Sequence, residues 1–417
     1  MVARWPDGVK PGPFLQLAES RMETDVSFKN IGLRGITVAD TKISYIDGVR
    51  GILIYRGFRI EDLAEISSFE ETAYLLLNGG LPDKEGLAAF RDALTAAGRL
   101  PDEISESFKL WPRRSDPMDI IQASVPILAM IDPELAAESR EANLRKAIRV
   151  IARLPEIITT WHRMRNGLQP LPHDPKLGHA GNFLWKLTGK KPEEEMARAF
   201  EVSLILQADH AFSASTFACR EVVSTRAHLY AGVTAGVGAL SGILHGGSNA
   251  LVMRVMFDMI DQGMTTKDIG AWVKGKLDRR EKIMGMGHAV YKTTDPRAEI
   301  LKGLCENVAI KTEREEWFNF LRAIETECIR EFEKRGKRKI KANVDFYSGL
   351  LCAMLGIPLD IMTPVFAMAI AVGWCSHIIE EKFGDAQGKP VLYRPESKYV
   401  GHYCGQFGCT YLPIEQR

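Results

Sequence analysis

The sequence predicts an all-α protein with two helical domains and one short N-terminal β-hairpin. Apolar residues recur at steps of three and four over residues 118–131, 135–152 and 192–208, which is the spacing of helices that turn one face to a core. The only plausible strands are short: residues 35–45 alternate apolar and polar side chains, and residues 52–55 could pair with them as a hairpin. These patterns favour a large and mostly helical fold.

Two helices in the N-terminal part carry sequence signals at their ends. Ser68 precedes an apolar pattern over residues 69–77, and Gly79 follows it. Because serine is a good N-cap and glycine commonly ends a helix, we predict a helix over these residues. The segment that begins at Pro82 opens the next helix.

Residues 246–349 have the pattern of a second, smaller domain. Two charged helical stretches, residues 265–280 and 311–339, lie on either side of a glycine-containing loop. We therefore expect residues 1–245 and 350–417 to form a discontinuous large domain around this insertion. A ligand held between the two domains would close the cleft.

The composition excludes several classes of protein. The chain has 417 residues, of which 46% are hydrophobic and 26% charged, so it can bury a large core. Its 54 basic and 53 acidic residues give a net charge of +1, which provides no bulk attraction to nucleic acid or to an anionic membrane. The seven cysteines are scattered and odd in number, which favours reduced thiols and a cytoplasmic protein.

We expect no segment to cross a membrane. The longest apolar region, residues 350–379, is interrupted by two prolines, Asp360 and His377, which are costly in lipid but ordinary in two buried helices joined by a turn. Residues 1–22 contain no unbroken apolar run, so we do not expect a secretory signal there.

Three segments combine glycine with a residue suited to acid–base chemistry. The run Gly285-Met286-Gly287-His288 lets the backbone approach a ligand beside a histidine, and Arg297 follows nine residues later. A second histidine, His245, lies at a glycine-rich break, and Asp345 lies inside an otherwise apolar segment. Each of these residues alone is more simply a cap, a core residue or a surface residue. Together they indicate a site for a small acid.

Taken in their order along the chain, His245, His288 and Asp345, the three segments resemble the citrate synthase family. The resemblance covers roughly residues 30 to 401, and it also includes residues 46–48, 55–57, 60–64, 68–76, 116–119, 394–395 and 399–401. It implies a two-domain helical fold of the citrate synthase type in an obligate homodimer or a higher homo-oligomer. The small residues of the stretch 229–244 suit either tight helix packing or a subunit interface, and the resemblance favours the interface.

The resemblance implies a Claisen condensation, in the dominant family activity between acetyl-CoA and oxaloacetate, followed by hydrolysis to citrate and CoA. Asp345 would be the base that removes the proton next to the thioester. His245 would donate a hydrogen bond to the thioester oxygen, and His288 would polarise and protonate the ketone oxygen.

The resemblance also implies the substrate-binding residues. His210, Arg297 and Arg394 would bind the 2-oxo acid, with Arg394 reaching into the site of the neighbouring subunit. Acyl-CoA would pass along four residues of one region: Gly285, Met286, Gly287 and Lys292. The sequence has no cluster with metal-ligand spacing and no nucleotide-type phosphate loop, so we expect CoA as a cosubstrate, no permanently bound cofactor and no metal.

The chain departs from the family pattern at four positions. Ile370 stands where the family has an arginine that binds a substrate carboxylate, and Ala211, Ser213 and Ala250 replace polar family residues. A hydrogen bond to a charged group is worth about 1.5 to 3 kcal/mol. Three functions therefore stay open: citrate synthesis; the same chemistry with another acyl-CoA, as in 2-methylcitrate synthesis, or with a less charged 2-oxo acid; and a catalytically weak relative that binds CoA or a metabolite.

Overall fold

A computed structural model describes residues 32–33, 35–401 and 409–416. Contacts divide the chain into two units, residues 1–40 and 41–417, and every helix and strand named below lies in the second unit. The described part contains sixteen α-helices and three short strands, which confirms the mostly helical fold. The helices are α1 (Ile60–Ile66), α2 (Phe69–Asn78), α3 (Lys84–Ala97), α4 (Asp102–Phe108), α5 (Pro117–Met130), α6 (Arg140–Arg165), α7 (His179–Thr188), α8 (Glu194–Gln207), α9 (Ala214–Ser224), α10 (Leu229–Leu240), α11 (Ser248–Asp261), α12 (Ile269–Asp278), α13 (Pro296–Lys311), α14 (Glu315–Lys334), α15 (Val344–Met354) and α16 (Met362–Phe383).

The hairpin predicted near the N-terminus is present but shorter than expected. Strand β1 (Ser44–Asp47) pairs antiparallel with β2 (Ile52–Tyr55). A third strand, β3 (Phe58–Arg59), pairs antiparallel with β2 and is too short for a sequence pattern to indicate it. The alternating residues before Ser44 do not extend β1, because β2 is only four residues long and Arg56, with φ of +48°, turns the chain after it.

The ends of the first helices follow the capping residues in the sequence. Ser68 Oγ accepts a hydrogen bond from Glu71 N at the start of α2, and Gly79 ends that helix with φ of +88°. At α3, the Asp83 carboxylate accepts a hydrogen bond from Gly86 N at 2.7 Å. Both predicted helices are therefore confirmed.

The single helical stretch predicted over residues 311–339 is wrong in its bounds, because these residues contain the end of α13 and all of α14.

Helix α13 begins at an Asp-Pro pair: the Asp295 carboxylate accepts a hydrogen bond from Arg297 N at 3.0 Å, and Pro296 occupies the first helical position. Proline lacks an N–H that this position would leave unpaired anyway. An Asp-Pro pair therefore begins a helix here rather than a simple turn.

Helix α16 lies at the centre of the core. Among the described residues, Leu359–Phe383 is the one helical stretch whose length and composition would allow it to cross a membrane. However, 94% of its most apolar part is buried inside the protein. It packs against α2, α6, α8, α9 and α10. The structure thus confirms that this apolar region forms core helix.

Helices α11 to α15 contact one another extensively. Helix α15 packs on α11 and α13, while α14 packs on α12 and α13. Helix α13 also contacts α1 and α8. The separate small domain at residues 246–349 stays a prediction.

Five cysteines in the described part are free and buried: Cys219, Cys305, Cys328, Cys352 and Cys375. Burial raises the pKa of each thiol, to about 12 for Cys328 and Cys352. Cys409 lies in an exposed segment and is disulfide-bonded. The expectation of reduced thiols is therefore wrong at Cys409, which the core does not shield.

Helix α10 presents small residues on two faces. One face points into the chain, where a Cβ at Gly236 would lie 2.5 Å from the Cys219 sulfur and 3.0 Å from the Trp374 ring. The other face is half-buried in the single chain and carries Ala231, Ala235 and Ala239. The inner face serves helix packing within the subunit, which leaves the outer face for the predicted dimer contact.

We expect Gly236→Ala to destabilise the protein by about 1–3 kcal/mol, the usual cost of an extra methyl group in a packed core. The measurement is the free energy of unfolding in urea. Gly303→Ala is the matched control, because Gly303 is exposed inside α13 and a Cβ there meets no atom within 4 Å; alanine should stabilise that helix by about 0.5–1 kcal/mol. Equal effects of the two substitutions would contradict tight packing at α10.

Candidate active site

Two backbone hydrogen bonds hold the glycine loop, residues 285–288, against the start of α15. Gly287 N donates to Lys341 O at 2.7 Å, and Asn343 N donates to Gly285 O at 2.9 Å. Two of the three segments singled out in the sequence therefore meet through their main chains.

Glycine is required at residue 285. Its φ is +75°, which disfavours any side chain, and a Cβ there would lie 2.7 Å from the Phe346 ring and 2.9 Å from Val252. The glycine loop thus packs directly on α15 and α11 through its backbone.

His288 is a neutral imidazole with a defined tautomer. Its Nδ1 atom accepts hydrogen bonds from Val290 N at 3.0 Å and from Tyr291 N at 3.3 Å. A backbone N–H can only donate, so Nδ1 carries no proton and Nε2–H is left as a donor. Burial, followed by the positive charge of Arg297, lowers the pKa of His288 to about 4. His288 therefore stays neutral at pH 7.

His245 has the opposite tautomer. Ser215 N donates to His245 Nε2 at 3.1 Å, and the Ser215 hydroxyl lies 2.8 Å from the same nitrogen. That hydroxyl in turn accepts a hydrogen bond from Trp374 Nε1 at 3.1 Å. Because Nε2 accepts, Nδ1–H is the free donor of His245. Burial lowers the pKa of His245, so this ring is also neutral.

Asp345 lies in the first turn of α15, where Asn343 Oδ1 accepts a hydrogen bond from Asp345 N at 3.0 Å. Burial raises the pKa of Asp345 to about 6, although the charge of Arg297 and a hydrogen bond with Ser248 oppose the rise. Ser248 lies three residues after His245, so Asp345 lies near the third segment. A carboxyl pKa near 6 suits a base that works close to neutral pH.

His210 packs against His288 and Tyr291. The ring centroids of His210 and His288 are 5.3 Å apart in an edge arrangement, and His210 Nε2 lies 3.3 Å from the Tyr291 hydroxyl. Burial lowers the pKa of His210 well below its usual range, and the positive charge of Arg297 adds to the effect. His210 is therefore also neutral at pH 7.

Arg297 is the cation that these groups share. It is 2% exposed and pairs with Asp295 through two bonds, Nε to Oδ1 at 3.0 Å and Nη2 to Oδ2 at 2.8 Å. Its charge lowers the pKa of His210, His288 and Asp345. The structure thus gathers these three predicted residues around one buried charge.

The β1–β2 turn lies over the residues that follow His288. Lys292 N donates to Gly48 O at 2.7 Å, and a Cβ at Gly48 would collide with the Val290 carbonyl group. The turn and the loop therefore touch backbone to backbone, with no room for a side chain between them.

The remaining predicted binding residues are Arg394, Lys292 and Met286. Arg394 is exposed on the extended segment after α16, and in residues 35–401 and 409–416 no hydrogen bond or ion pair to it is formed. Lys292 is exposed, and its Nζ donates to Ala289 O at 3.1 Å. Met286 forms an isolated antiparallel bridge with Ala342.

Sequence reasoning missed the hydroxyl side chains that hold the predicted residues: Ser215, Ser248 and Tyr291. A signal existed for Ser215, because Ser213 is the N-cap of α9 and the N–H groups of a first helical turn lack partners in their own helix. No comparable signal marks the other two, whose partners come together only by tertiary packing.

Ile370 lies on the face of α16 that meets the His210 segment. Gly373 N donates to Ala208 O at 2.9 Å, and a Cβ at Gly373 would collide with the Asp209 carboxylate. Residues three apart share a helix face, and Ile370 is fully buried. The face that supports His210 therefore carries an apolar side chain at residue 370.

These groups define a class of protein. A carboxylate that can take a proton and two neutral histidines that can each donate a hydrogen bond are the equipment of an enzyme that moves protons next to carbonyl groups. Within the described residues, no group of three or more His, Cys, Asp or Glu side chains is placed to hold a metal ion.

Comparisons with known proteins narrow this class to a family. Residues 32–396 match the family model described as Citrate synthase, C-terminal domain. A citrate synthase of Haloferax volcanii is 39% identical over 391 residues, which cover 93% of this chain and 98% of the relative. A 2-methylcitrate synthase of Mycobacterium tuberculosis is 36% identical over 89% of this chain and 90% of the relative. The chain belongs to the citrate synthase family, and it is an acyltransferase of that family.

A solved structure gives the same family and fold. The citrate synthase of Thermoplasma acidophilum, in a ternary complex with carboxymethyl coenzyme A and oxaloacetate, has a TM-score of 0.82 and 31% identity, over 92% of this chain and 98% of the other. The citrate-synthase-type helical fold that the sequence implies is confirmed.

Proposed function

We propose that this protein condenses acetyl-CoA with oxaloacetate and hydrolyses the product to citrate and CoA. The observation that carries the proposal is the pair of neutral histidines with opposite tautomers, together with Asp345, whose pKa is about 6. The relatives named citrate synthase, and the related structure that holds a CoA analogue with oxaloacetate, support these two substrates.

In this reaction, Asp345 takes a proton from the methyl carbon of acetyl-CoA. The enolate oxygen that forms accepts a hydrogen bond from His245 Nδ1–H. The enolate carbon attacks the ketone carbon of oxaloacetate, and His288 Nε2–H gives its proton to the resulting oxyanion. Water then cleaves the thioester, and CoA leaves as a thiol.

Arg297 retains a donor for a substrate carboxylate. Asp295 engages Nε and Nη2 of Arg297, while Nη1 forms no hydrogen bond within the described part of the chain. Arginine suits this task because its planar fork matches a carboxylate. His210, beside His288, contributes a second polar group to the same acceptor.

The proposal includes an assembly and a compartment. The exposed Arg394 and the small-residue outer face of α10 support a homodimer in which Arg394 enters the partner's site. CoA would lie along Gly285, Met286, Gly287 and Lys292, and closure of the small domain onto the large one would bury both substrates. We also propose a cytoplasmic location, which the five buried free cysteines support and the disulfide of the exposed Cys409 opposes.

A second candidate function keeps the chemistry but changes the substrate. Ile370 cannot pair with a carboxylate, and the cations that shift the pKa values of His210, His288 and Asp345 are Arg297 and, for His288 alone, Lys292. This favours a 2-oxo acid with an apolar group in place of one carboxylate, or a longer acyl-CoA. Release of CoA thiol across a panel of acyl-CoAs and 2-oxo acids separates these substrates.

A catalytically weak relative that only binds CoA is the third candidate. It has less support, because hydrogen bonds to Nδ1 of His288 and to Nε2 of His245 select the two tautomers that catalysis needs. A protein that only binds CoA has no physical need for both. Failure of every pair in the panel, from a folded dimer, would favour this third function.

We expect kcat/KM for condensation to fall by about tenfold per pH unit below pH 6, because the base works only when it is ionised. The raised pKa of Asp345 places this loss near pH 6, whereas His288, with a pKa of about 4, stays neutral between pH 6 and about pH 4.

Asp345→Asn should abolish condensation and leave CoA binding nearly intact. Asp360→Asn, at a partly exposed carboxylate paired with Arg165, is the control that should keep full activity. Turnover by Asp345→Asn within about tenfold of the parent would remove Asp345 as the base.

We expect a mixture of Arg394→Ala chains with His288→Ala chains to recover activity that neither has alone, because a hybrid dimer contains one intact site. The measurement is thiol release after subunit exchange. A mixture of His288→Ala with Asp345→Asn chains is the matched control and should stay inactive, since both residues belong to the same chain's site. No recovery after confirmed exchange would contradict the shared site.

We expect Ile370→Arg to raise kcat/KM for oxaloacetate with acetyl-CoA by roughly ten- to a hundredfold, the usual strength of one charged hydrogen bond. Activity on a less charged 2-oxo acid should fall in the same variant. Ile370→Met keeps an apolar side chain and should change neither kcat/KM for oxaloacetate nor the activity on the less charged 2-oxo acid. Melting temperatures would confirm that all variants fold. If the parent already uses oxaloacetate efficiently and Ile370→Arg lowers that activity, the second candidate function is wrong.

A further inference from the structure

His210 lies at the tip of a bent segment, residues 208–212. The bend occurs at Ala211, whose φ of +48° is a left-handed conformation that side chains rarely adopt. A non-glycine residue stays in this conformation only when its surroundings hold it there. What holds this segment therefore determines where the His210 ring points.

On one side of the bend, Asp209 is fully buried and its carboxylate makes the local contacts. Asp209 Oδ2 accepts hydrogen bonds from Ser44 Oγ at 2.5 Å and from Ala211 N at 2.9 Å. Tyr55 OH donates to Asp209 O at 2.7 Å and accepts from Asp209 N at 3.1 Å. One oxygen, Asp209 Oδ1, remains for a partner outside this group.

That partner is His377 of α16, whose ring is also fully buried. His377 Nε2 lies 3.3 Å from Asp209 Oδ1, and the contact does not yet have the geometry of a hydrogen bond. Neither atom has another hydrogen-bond partner among the residues described here. An unpaired buried polar atom is costly, so a small shift that brings these two atoms together is favourable.

Arg220 sets the tautomer of His377. Arg220 Nη1 donates to His377 Nδ1 at 3.0 Å, and a guanidinium can only donate, so the ring proton lies on Nε2 and faces Asp209. Glu380 and Glu381 hold Arg220 in place through ion pairs of 2.7 Å each. His377 is thus a neutral donor aimed at the carboxylate beside His210.

The other side of the bend rests on the same pair. The Phe212 ring lies 4.6 Å from the Arg220 guanidinium carbon and 5.6 Å, edge on, from the His377 ring. His377 therefore contacts the segment on both sides of His210, at Asp209 and at Phe212, and Arg220 contacts it at Phe212.

We infer that His377 is a positioning residue for the 2-oxo acid: it orients His210 through Asp209, and its contact with Asp209 becomes a hydrogen bond when the acceptor fills the site. Hydrogen bonds at active sites are often long in the free enzyme and tighten in the complex with substrate. The inference rests on the proposed function in one respect only, namely that the 2-oxo acid binds at His210.

The test separates positioning from general stability. His377→Leu should raise KM for the 2-oxo acid by about tenfold, the worth of one hydrogen bond, and change KM for acyl-CoA by less than about threefold. His377→Gln, which can place an amide donor near the Nε2 position, should recover most of the loss. Ile378→Ala is the matched control: this buried neighbour on α16 faces Gly232 of α10, so it should lower stability and leave both KM values unchanged.

A double-mutant cycle shows whether His377 acts through His210. In a His210→Ala background, His377→Leu should have no further effect on KM for the 2-oxo acid. An equal effect in both backgrounds, or an equal rise of both KM values in His377→Leu alone, would overturn the inference.

A measurement that requires no turnover tests this inference separately from the proposed function. If the parent condenses no pair of substrates, the proposed function fails while the positioning of His210 can still be measured. In protein labelled with [15N]histidine, His377→Leu should shift the ring resonances of His210 and leave those of His245 in place. Unchanged His210 resonances would contradict the inference even in an active enzyme.

Discussion

A permanent positive charge buried beside the reacting groups is the constraint on which the rest of the site depends. A guanidinium cannot give up its proton, so Arg297, 2% exposed, must be paired, and Asp295 pairs with it through two bonds. The same charge disfavours protonation of His210 and His288 and favours the ionised form of Asp345. One buried cation thereby influences the protonation of the base and of the donors together.

The groups around that charge come from segments that are distant in sequence, and backbone contacts bring them together. The glycine loop is bonded to the start of α15, and the β1–β2 turn is bonded to the residues after His288. Glycines at positions 48 and 285 leave no space for a side chain in these contacts. Because main-chain atoms form these contacts, the catalytic geometry depends little on the exposed side chains nearby.

Sequence reasoning worked where a local signal decides the structure. Ser68 and Gly79 bound α2 because their own conformations and hydrogen bonds begin and end a helix. The start of α13 at Pro296 was missed, since an Asp-Pro pair fits a turn as well as a helix. Motifs were enough to name His245, His288 and Asp345. They could not give the tautomers of the two histidines, which depend on Ser215 N and Val290 N. Nor does any pattern in the chain reveal the buried contact between Asp209 and His377, which lie 168 positions apart.

The burial of the cysteines bears on the redox chemistry of an enzyme whose proposed product is a free thiol. Exchange between a thiol and a disulfide requires a thiolate that can reach the other sulfur. All five free cysteines of the described part lie in the core, and burial keeps them protonated. Coenzyme A in its oxidised, disulfide form therefore finds no reactive partner among them, so these five positions resist thiolation by the oxidised form of the proposed product.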